Sequence, residues 1–321
     1  MQGPVKSTPT TIARIRLLRR AQMNRLSLFR DVWKHKGLAA AIIKTFARIA
    51  RKRILVEGVD EDFPRTAPQR SLAMPTMEDA ELWHTGYGGR WKHVLPLPNE
   101  RMMLHVGSET VDNFLFVADA LAQLLSRYIQ PNSHVMDVGC GCGRTARLLV
   151  MNPNVERFTG FDVVAPYVAW CNRFFGELYP GRFSFHHVDV QTKRYNPQGT
   201  LTCATARFPA RDVDVDLIYA ASVFTHLYPD DLRCYVREMN RVLKKLGKVI
   251  VSIHDRPQRG EAFSGNEHRA DYDASYFVQL MWDEGFDLVE DIGDFCGQRT
   301  LLLQRKRCAT GRNARAELGQ R

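Results

Sequence analysis

Several things are missing from this chain. Its 321 residues hold no uninterrupted apolar run near the roughly 20 residues that a membrane-spanning helix needs. The longest, F-L-F-V-A-D-A-L-A-Q-L-L, is broken by Asp119 and Gln123. The first strongly apolar stretch is studded with arginine, which argues against a secretory leader. The seven cysteines, an odd number, stand scattered without a framework, so reduced thiols in a cytoplasmic protein are expected rather than secreted disulfides. A C-x-x-C redox pair is absent, and so is any convergence of cysteine and histidine at zinc-ligand spacing; no metal site is expected. Internal repeats and low-complexity tracts are lacking too.

Acidic residues are nearly absent from the two ends. Residues 1–53 carry fourteen Lys/Arg against Asp31 alone, and residues 305–321 carry six against Glu317. The net charge of +10 therefore resides in the ends, and the body between them is acidic. Only an end could grip nucleic acid or an anionic surface.

Residues 1–10 read as disordered. Ile12, Ile15, Leu18, Leu26, Phe29 and Trp33 recur at helical spacing, and Leu38, Ile42, Phe46 and Ile49 follow Gly37. That predicts a basic amphipathic helical extension over 11–56. It could pack on the domain or a protein partner, lie on an anionic membrane surface, or act as a targeting presequence. Residues 57–104 read as a linker and then a lid rich in glycine and aromatics, with Trp83, His84, Tyr87, Trp91 and His93. Residues 105–305 form the main domain, and 306–321 a basic disordered tail.

From His134 short apolar strands alternate with amphipathic helices: H-V-M-D-V, R-F-T-G-F-D, R-F-S-F-H-H-V-D, V-D-L-I-Y-A-A-S and K-V-I-V-S-I-H. The pattern predicts an α/β doubly wound sheet, mostly parallel. F-D-L-V-E-D and R-T-L-L-L-Q-R have too short a connection for a crossover helix, so the final strand should be antiparallel.

Where the first strand turns into a helix stands V-M-D-V-G-C-G-C-G-R, residues 135–144. Glycines at 139, 141 and 143 permit tight backbone geometry and close approach of a ligand. Cys140 and Cys142 lack a matching second pair and read as small apolar fillers. The G-x-G-x-G spacing differs from the dinucleotide fingerprint G-x-G-x-x-G. Asp137 at the loop's entrance suits a cationic, ammonium-bearing ligand.

At this point the chain resembles the class I S-adenosylmethionine-dependent methyltransferases, whose first motif D-V-G-C-G-C-G-R matches closely. The resemblance covers about 105–305 and implies a Rossmann-like sheet with S-adenosyl-L-methionine as cofactor. It implies that Gly139, Cys140 and Gly141 pass under the methionine part, with Asp137 near the ammonium. Asp162, ending the second strand, would take the ribose hydroxyls, and Asp189, ending the third, the adenine amino group. Val163 and Val190 would pack on the base, and Ala221 and Ser222 would lie beside the methionyl portion. Lys245-Leu246-Gly247 stands where the family usually has Pro-Gly-Gly, a turn remote from the ligand. S-V-F-T-H-L, with Y-N-P-Q-G and F-C-G-Q-R-T, also resembles a bacterial subgroup acting on small molecules, some of whose members are associated with polysaccharide assembly.

The acceptor side carries fewer signals. His226 follows the fourth strand at the carboxyl edge of the sheet, where ligands bind, and is a candidate general base; it could equally cap the next helix. His254 and Asp255 end the fifth strand at the same edge, and Tyr228 is a candidate pocket wall. His186 and His187 read as structural. Methyl transfer to a small-molecule or glycan-precursor acceptor is the expected function. The alternatives are an RNA or protein methyltransferase gripping its polymer through the basic helices, and a non-catalytic cofactor-binding scaffold. With no target-recognition module, nucleic acid is the less expected partner.

Overall fold

Parallel strands with apolar runs need cover on both faces, and the chain supplies it by alternating strand and helix. In this computed structural model residues 74–81 and 96–306 are described. They lie within one compact unit, 72–321. The expected disordered start, the basic helices over 11–56, the lid aromatics from Trp83 to His93 and the tail from 307 onward all lie outside the described residues.

Strands β1 (Ser133–Val138), β2 (Val155–Asp162), β3 (Phe183–His187), β4 (Val215–Ala220) and β5 (Leu243–Ile253) run parallel. Strands β6 (Phe263–Asn266) and β7 (Arg269–Tyr272) form a separate hairpin. Strands β8 (Phe286–Phe295) and β9 (Gln298–Arg305) complete the main sheet in the order β3-β2-β1-β4-β5-β9-β8. The last two are antiparallel, as the short connection required. The order reverses between β1 and β4, the switch point where open α/β sheets bind ligands.

Six α-helices among the described residues cover the faces. Helix α1 (Glu100–His105) is capped by Asn99, whose side chain accepts from Met102 N. Helix α2 (Val111–Ser126) is capped by Thr110 and buries Phe114, Ala118, Leu121, Ala122 and Leu125 at helical spacing. Helix α3 (Ala146–Leu149) is a single turn. Helix α4 (Ala165–Cys171) begins with a proline in its first turn and runs into a π-turn, Asn172–Gly176. Helix α5 (Pro229–Val242) also starts on proline, and α6 (Ala274–Asp283) is capped by Asp273.

Three differences from the sequence pattern have physical causes. Each strand of the β6–β7 hairpin has four residues, F-S-G-N and R-A-D-Y, too short to show a period of two. Helix α1 has only six residues, yet Met102 and Met103 are buried in the core. Strand β5 starts five residues before Lys248. Val215 pairs with Leu243 and Leu217 with Lys248, so residues 244–247 bulge out with Leu246 at φ +62°. The expected turn at Lys245-Leu246-Gly247 survives as an irregularity inside the strand.

Candidate functional site

The glycine loop is tied to β2 by its own backbone. The amides of Gly139 and Cys140 both donate to the carbonyl of Phe161, each at 2.9 Å. Gly139 and Gly143 have φ of +71° and +72°, the left-handed region in which a side chain is strained. Space forbids one as well. A Cβ on Gly139 would stand 2.6 Å from Val223 Cγ2, and one on Gly143 would stand 2.6 Å from the Phe175 ring and 3.0 Å from Cys171 Sγ. Cys140, Cys142 and Cys171 are buried under this loop, with their thiols pushed up by burial. They fill space.

Asp162 closes the loop from below. Its Oδ2 accepts from Gly141 N at 2.8 Å, and its Oδ1 from Val164 N at 2.9 Å. Burial raises its pKa against the pull of those amides. Asp137 lies deeper. It is 3% exposed, its Oδ2 accepts from the Tyr219 hydroxyl at 2.5 Å, and burial pushes its pKa up to about 8. Asp189 differs from both. Its carboxylate accepts from Asn196 Nδ2, Thr200 N and Thr200 Oγ1, and these bonds hold it below the usual carboxylate range. It pins the turn after β3, with buried Val190 beside it.

Gly139, Cys140, Gly141, Asp162 and Val163 thus gather at the ends of β1 and β2. Ala221 and Ser222 line a cavity of about 230 Å³ under α2. Ser222, at φ +63°, is locked in a polar ring. Its amide donates to Ser252 Oγ (2.8 Å), which donates to Gln298 Oε1 (2.6 Å), while Gln298 Nε2 donates back to Ser222 Oγ (2.9 Å).

His226 is not simply a helix cap. Its Nδ1 donates to the carbonyl of Glu267 on the turn between β6 and β7, leaving Nε2 as the basic nitrogen. Burial, then Arg194, takes its pKa down to about 4, so it is neutral at pH 7. Tyr195 stands edge-on to His226 at 5.3 Å and, on its other side, to His105 at 5.7 Å. His105 Nδ1 lies 2.5 Å from the Tyr167 hydroxyl, and its pKa is also lowered to about 4 by burial first and Arg194 second. Arg194 lies over Tyr195 and donates to the His268 carbonyl. One aromatic row therefore joins the end of α1, α4, the turn after β3 and the start of the segment after β4.

The other acceptor candidates have structural partners. The carbonyl of His254 accepts from Tyr272 N and bridges to the hairpin; burial lowers its imidazole pKa. Asp255 accepts from Ala274 N at the start of α6 and pairs with Arg299. Tyr228 packs on Phe263 at 6.0 Å. His186 and His187 end β3. Both are exposed, because β3 is the edge strand there, and His187 Nε2 donates to the Val163 carbonyl.

Sequence reasoning missed His105, Tyr167 and Arg144. Tyr195 and Gln298 had a signal, since they lie in Y-N-P-Q-G and F-C-G-Q-R-T. The fold brings both stretches against S-V-F-T-H-L, through Tyr195 on His226 and Gln298 on Ser222.

Residues 136–251 match the family model of a methyltransferase domain. The chain is also similar to solved structures, each at a TM-score below 0.5. One is 1,6-didemethyltoxoflavin-N1-methyltransferase from Burkholderia thailandensis, with bound 1,6-didemethyltoxoflavin and S-adenosylhomocysteine: 16% identity over 64% of this chain and 84% of that one, TM-score 0.47. Another is magnesium protoporphyrin IX methyltransferase from Synechocystis, with 16% identity over 61% and 81%, TM-score 0.43. A third is the cyclase SpnF, with 20% identity over 60% and 81%, TM-score 0.44.

Proposed function

We propose that this chain is an S-adenosylmethionine-dependent methyltransferase acting on a small molecule, a glycan precursor among the candidates. The observation that carries the reading is the junction of Asp162 with the glycine loop at the ends of β1 and β2. Each oxygen of Asp162 accepts one backbone amide and keeps a second lone pair. A carboxylate so fixed suits two vicinal hydroxyls, as a ribose presents them. The match of residues 136–251 to a methyltransferase domain supports the same reading.

When bound, S-adenosylmethionine supplies a methyl group on a sulfonium, an electrophile with its leaving group built in. The protein's share is then to bind, orient and exclude water. Gly139 and Gly141 would hold the methionine portion, Asp162 the ribose, and Val163 and Val190 the base. Asp189 would contribute at the adenine edge through the lone pairs left over from Asn196 and Thr200. Ala221 and Ser222 face the cavity in which an acceptor would sit. His226, neutral at pH 7, remains the candidate general base through Nε2, although it does not line that cavity. His254 is the weaker candidate for that task.

Cys140, Cys142 and Cys171 are buried free thiols, which supports a reducing, cytoplasmic setting. No helix among the described residues is long and apolar enough to cross a membrane. Residues 11–53 are proposed to contact an anionic membrane surface or a protein partner.

Calorimetric titration tests the main reading. S-adenosylmethionine and S-adenosylhomocysteine should both bind, and Asp162→Asn should weaken both by at least about tenfold. Absence of heat with either ligand on the folded wild-type chain would end the proposal.

A further inference from the structure

On the cavity under α2 stands a cation with no ion-pair partner among the described residues. Arg144 is the one charged side chain among the described residues that line it. Its Nη1 donates to the Val106 carbonyl and to Ser108 Oγ, both neutral acceptors. Among the described residues no carboxylate lies within ion-pair distance of its guanidinium. Burial lowers its pKa, as expected of a charge withdrawn from water. The acid whose field reaches it, Asp137, sits beneath Tyr219, where burial favours its protonated form. Holding a guanidinium here with only neutral partners is costly, and an arriving anion would lower that cost.

The rest of the cavity restricts what that anion can be. One wall is apolar, with Val117, Leu121 and Leu125 from α2 facing Ile250 and Phe295. The other is polar but neutral, built on the Ser222–Ser252–Gln298 ring. A single cation matches a single negative charge, which favours a carboxylate over a doubly charged phosphate. The planar guanidinium fork fits a carboxylate in bidentate fashion. At about 230 Å³ the space falls below the roughly 300–1,000 Å³ of sites for drug-sized ligands.

We propose that this cavity is the acceptor pocket and that it selects a small carboxylic acid with a compact apolar body, whose carboxylate pairs with Arg144. In that pose the apolar body lies between α2 and β5, and a hydroxyl or amine of the acceptor meets the serine and glutamine wall. The proposal rests on the methyltransferase reading for the word acceptor, but the anion preference stands on the cavity alone.

The test uses the full chain and three probes: 4-hydroxybenzoate, its uncharged counterpart 4-hydroxybenzamide, and S-adenosylhomocysteine. Each is titrated by calorimetry, the first two with and without S-adenosylhomocysteine. The acid should bind at least about tenfold more tightly than the amide. Arg144→Met should erase that preference, and Arg144→Lys should keep part of it, while S-adenosylhomocysteine affinity stays within about threefold. Leu121→Trp, which fills the apolar wall without touching the charge, should weaken acid and amide alike. Thermal melts establish that each variant is folded.

Equal affinity for acid and amide, or binding of neither, would overturn the proposal. So would a loss of S-adenosylhomocysteine affinity in Arg144→Met equal to the loss of acid affinity, since the donor's own α-carboxylate would then be the anion. Failure of wild type to bind S-adenosylhomocysteine would end the methyltransferase reading instead, and the acid–amide comparison without it would still report on Arg144.

Discussion

The Tyr219 hydroxyl donates to Asp137 Oδ2 at 2.5 Å, beneath the glycine loop and out of reach of water. The two residues sit on adjacent strands, Asp137 opposite Tyr219 in the β1–β4 register, so the contact is built into the switch point of the sheet. Burial makes the ionised form of Asp137 costly, and its pKa rises from 3.8 to about 8.

The consequence is a stability that falls as pH rises. Between those two pKa values the folded chain holds a proton that the unfolded chain has released. The contribution is fully present below pH 3.8 and is lost through about pH 8. Its slope is at most about 1.4 kcal/mol per pH unit. Asp137→Asn keeps an oxygen for Tyr219 and cannot ionise, so urea midpoints from pH 5.5 to 9 should be flatter in the variant than in wild type. Parallel slopes would show that Asp137 is ionised in the fold.

His105 and His226 run the other way. Each is neutral in the fold, with a pKa lowered from 6.5 to about 4. Between pH 6.5 and 4 the unfolded chain takes up protons that the folded chain refuses, so stability falls as pH falls through that window. Replacing both with glutamine should flatten the acid limb of the melting curve. It should also remove the edge-on contacts with Tyr195 and cost about 1 kcal/mol at pH 7. An NMR titration that finds His226 titrating near 6.5 would contradict the buried setting.

Gly143→Ala should destabilise by about 2–4 kcal/mol in chemical unfolding, because strain and collision add. The residue sits at φ +72°, and the new Cβ would strike the Phe175 ring at 2.6 Å and Cys171 Sγ at 3.0 Å. Gly181→Ala is the control: it has φ +76° but no atom within 4 Å, so it should cost only the backbone part, about 1 kcal/mol.

What was legible in the sequence follows a physical line. The parallel strands and the antiparallel finish were readable because apolar runs and connection lengths are local signals. The glycine loop and Asp162 were readable because loop geometry restricts residue type at fixed spacing. The row His105–Tyr195–His226 was not. Its members come from segments 90 and 31 residues apart, and no local spacing signals that they meet. Arg144 was quoted within the motif but passed over, since a charge reads as solvated until its surroundings are known. Asp189 was legible as a strand-end acid, yet Asn196 and Thr200, which occupy its carboxylate, arrive through a turn with no periodic signature.

Glu238 on α5 gives the sharpest contrast between buried and exposed charge. Its carboxylate accepts from Arg241 Nε and Nη2, from Arg207 Nη1 and from Phe208 N. Glu238 is 7% exposed, whereas the Arg207 side chain is 73% exposed. Glu238→Ala would leave Arg241 short of a partner and the Phe208 amide buried and unpaired, at a cost of about 3 kcal/mol. Arg207→Ala removes only an exposed arm of the same cluster and should cost less than about 1 kcal/mol. The loss should also reach the site, because Phe208 packs on Phe161 at 4.5 Å and Phe161 precedes Asp162. Hydrogen exchange of the Gly141 and Val164 amides, both bonded to Asp162, should therefore speed up in Glu238→Ala and stay unchanged in Arg207→Ala. Equal protection of those amides in the two variants would show that the α5 cluster stabilises its own loop and nothing beyond it.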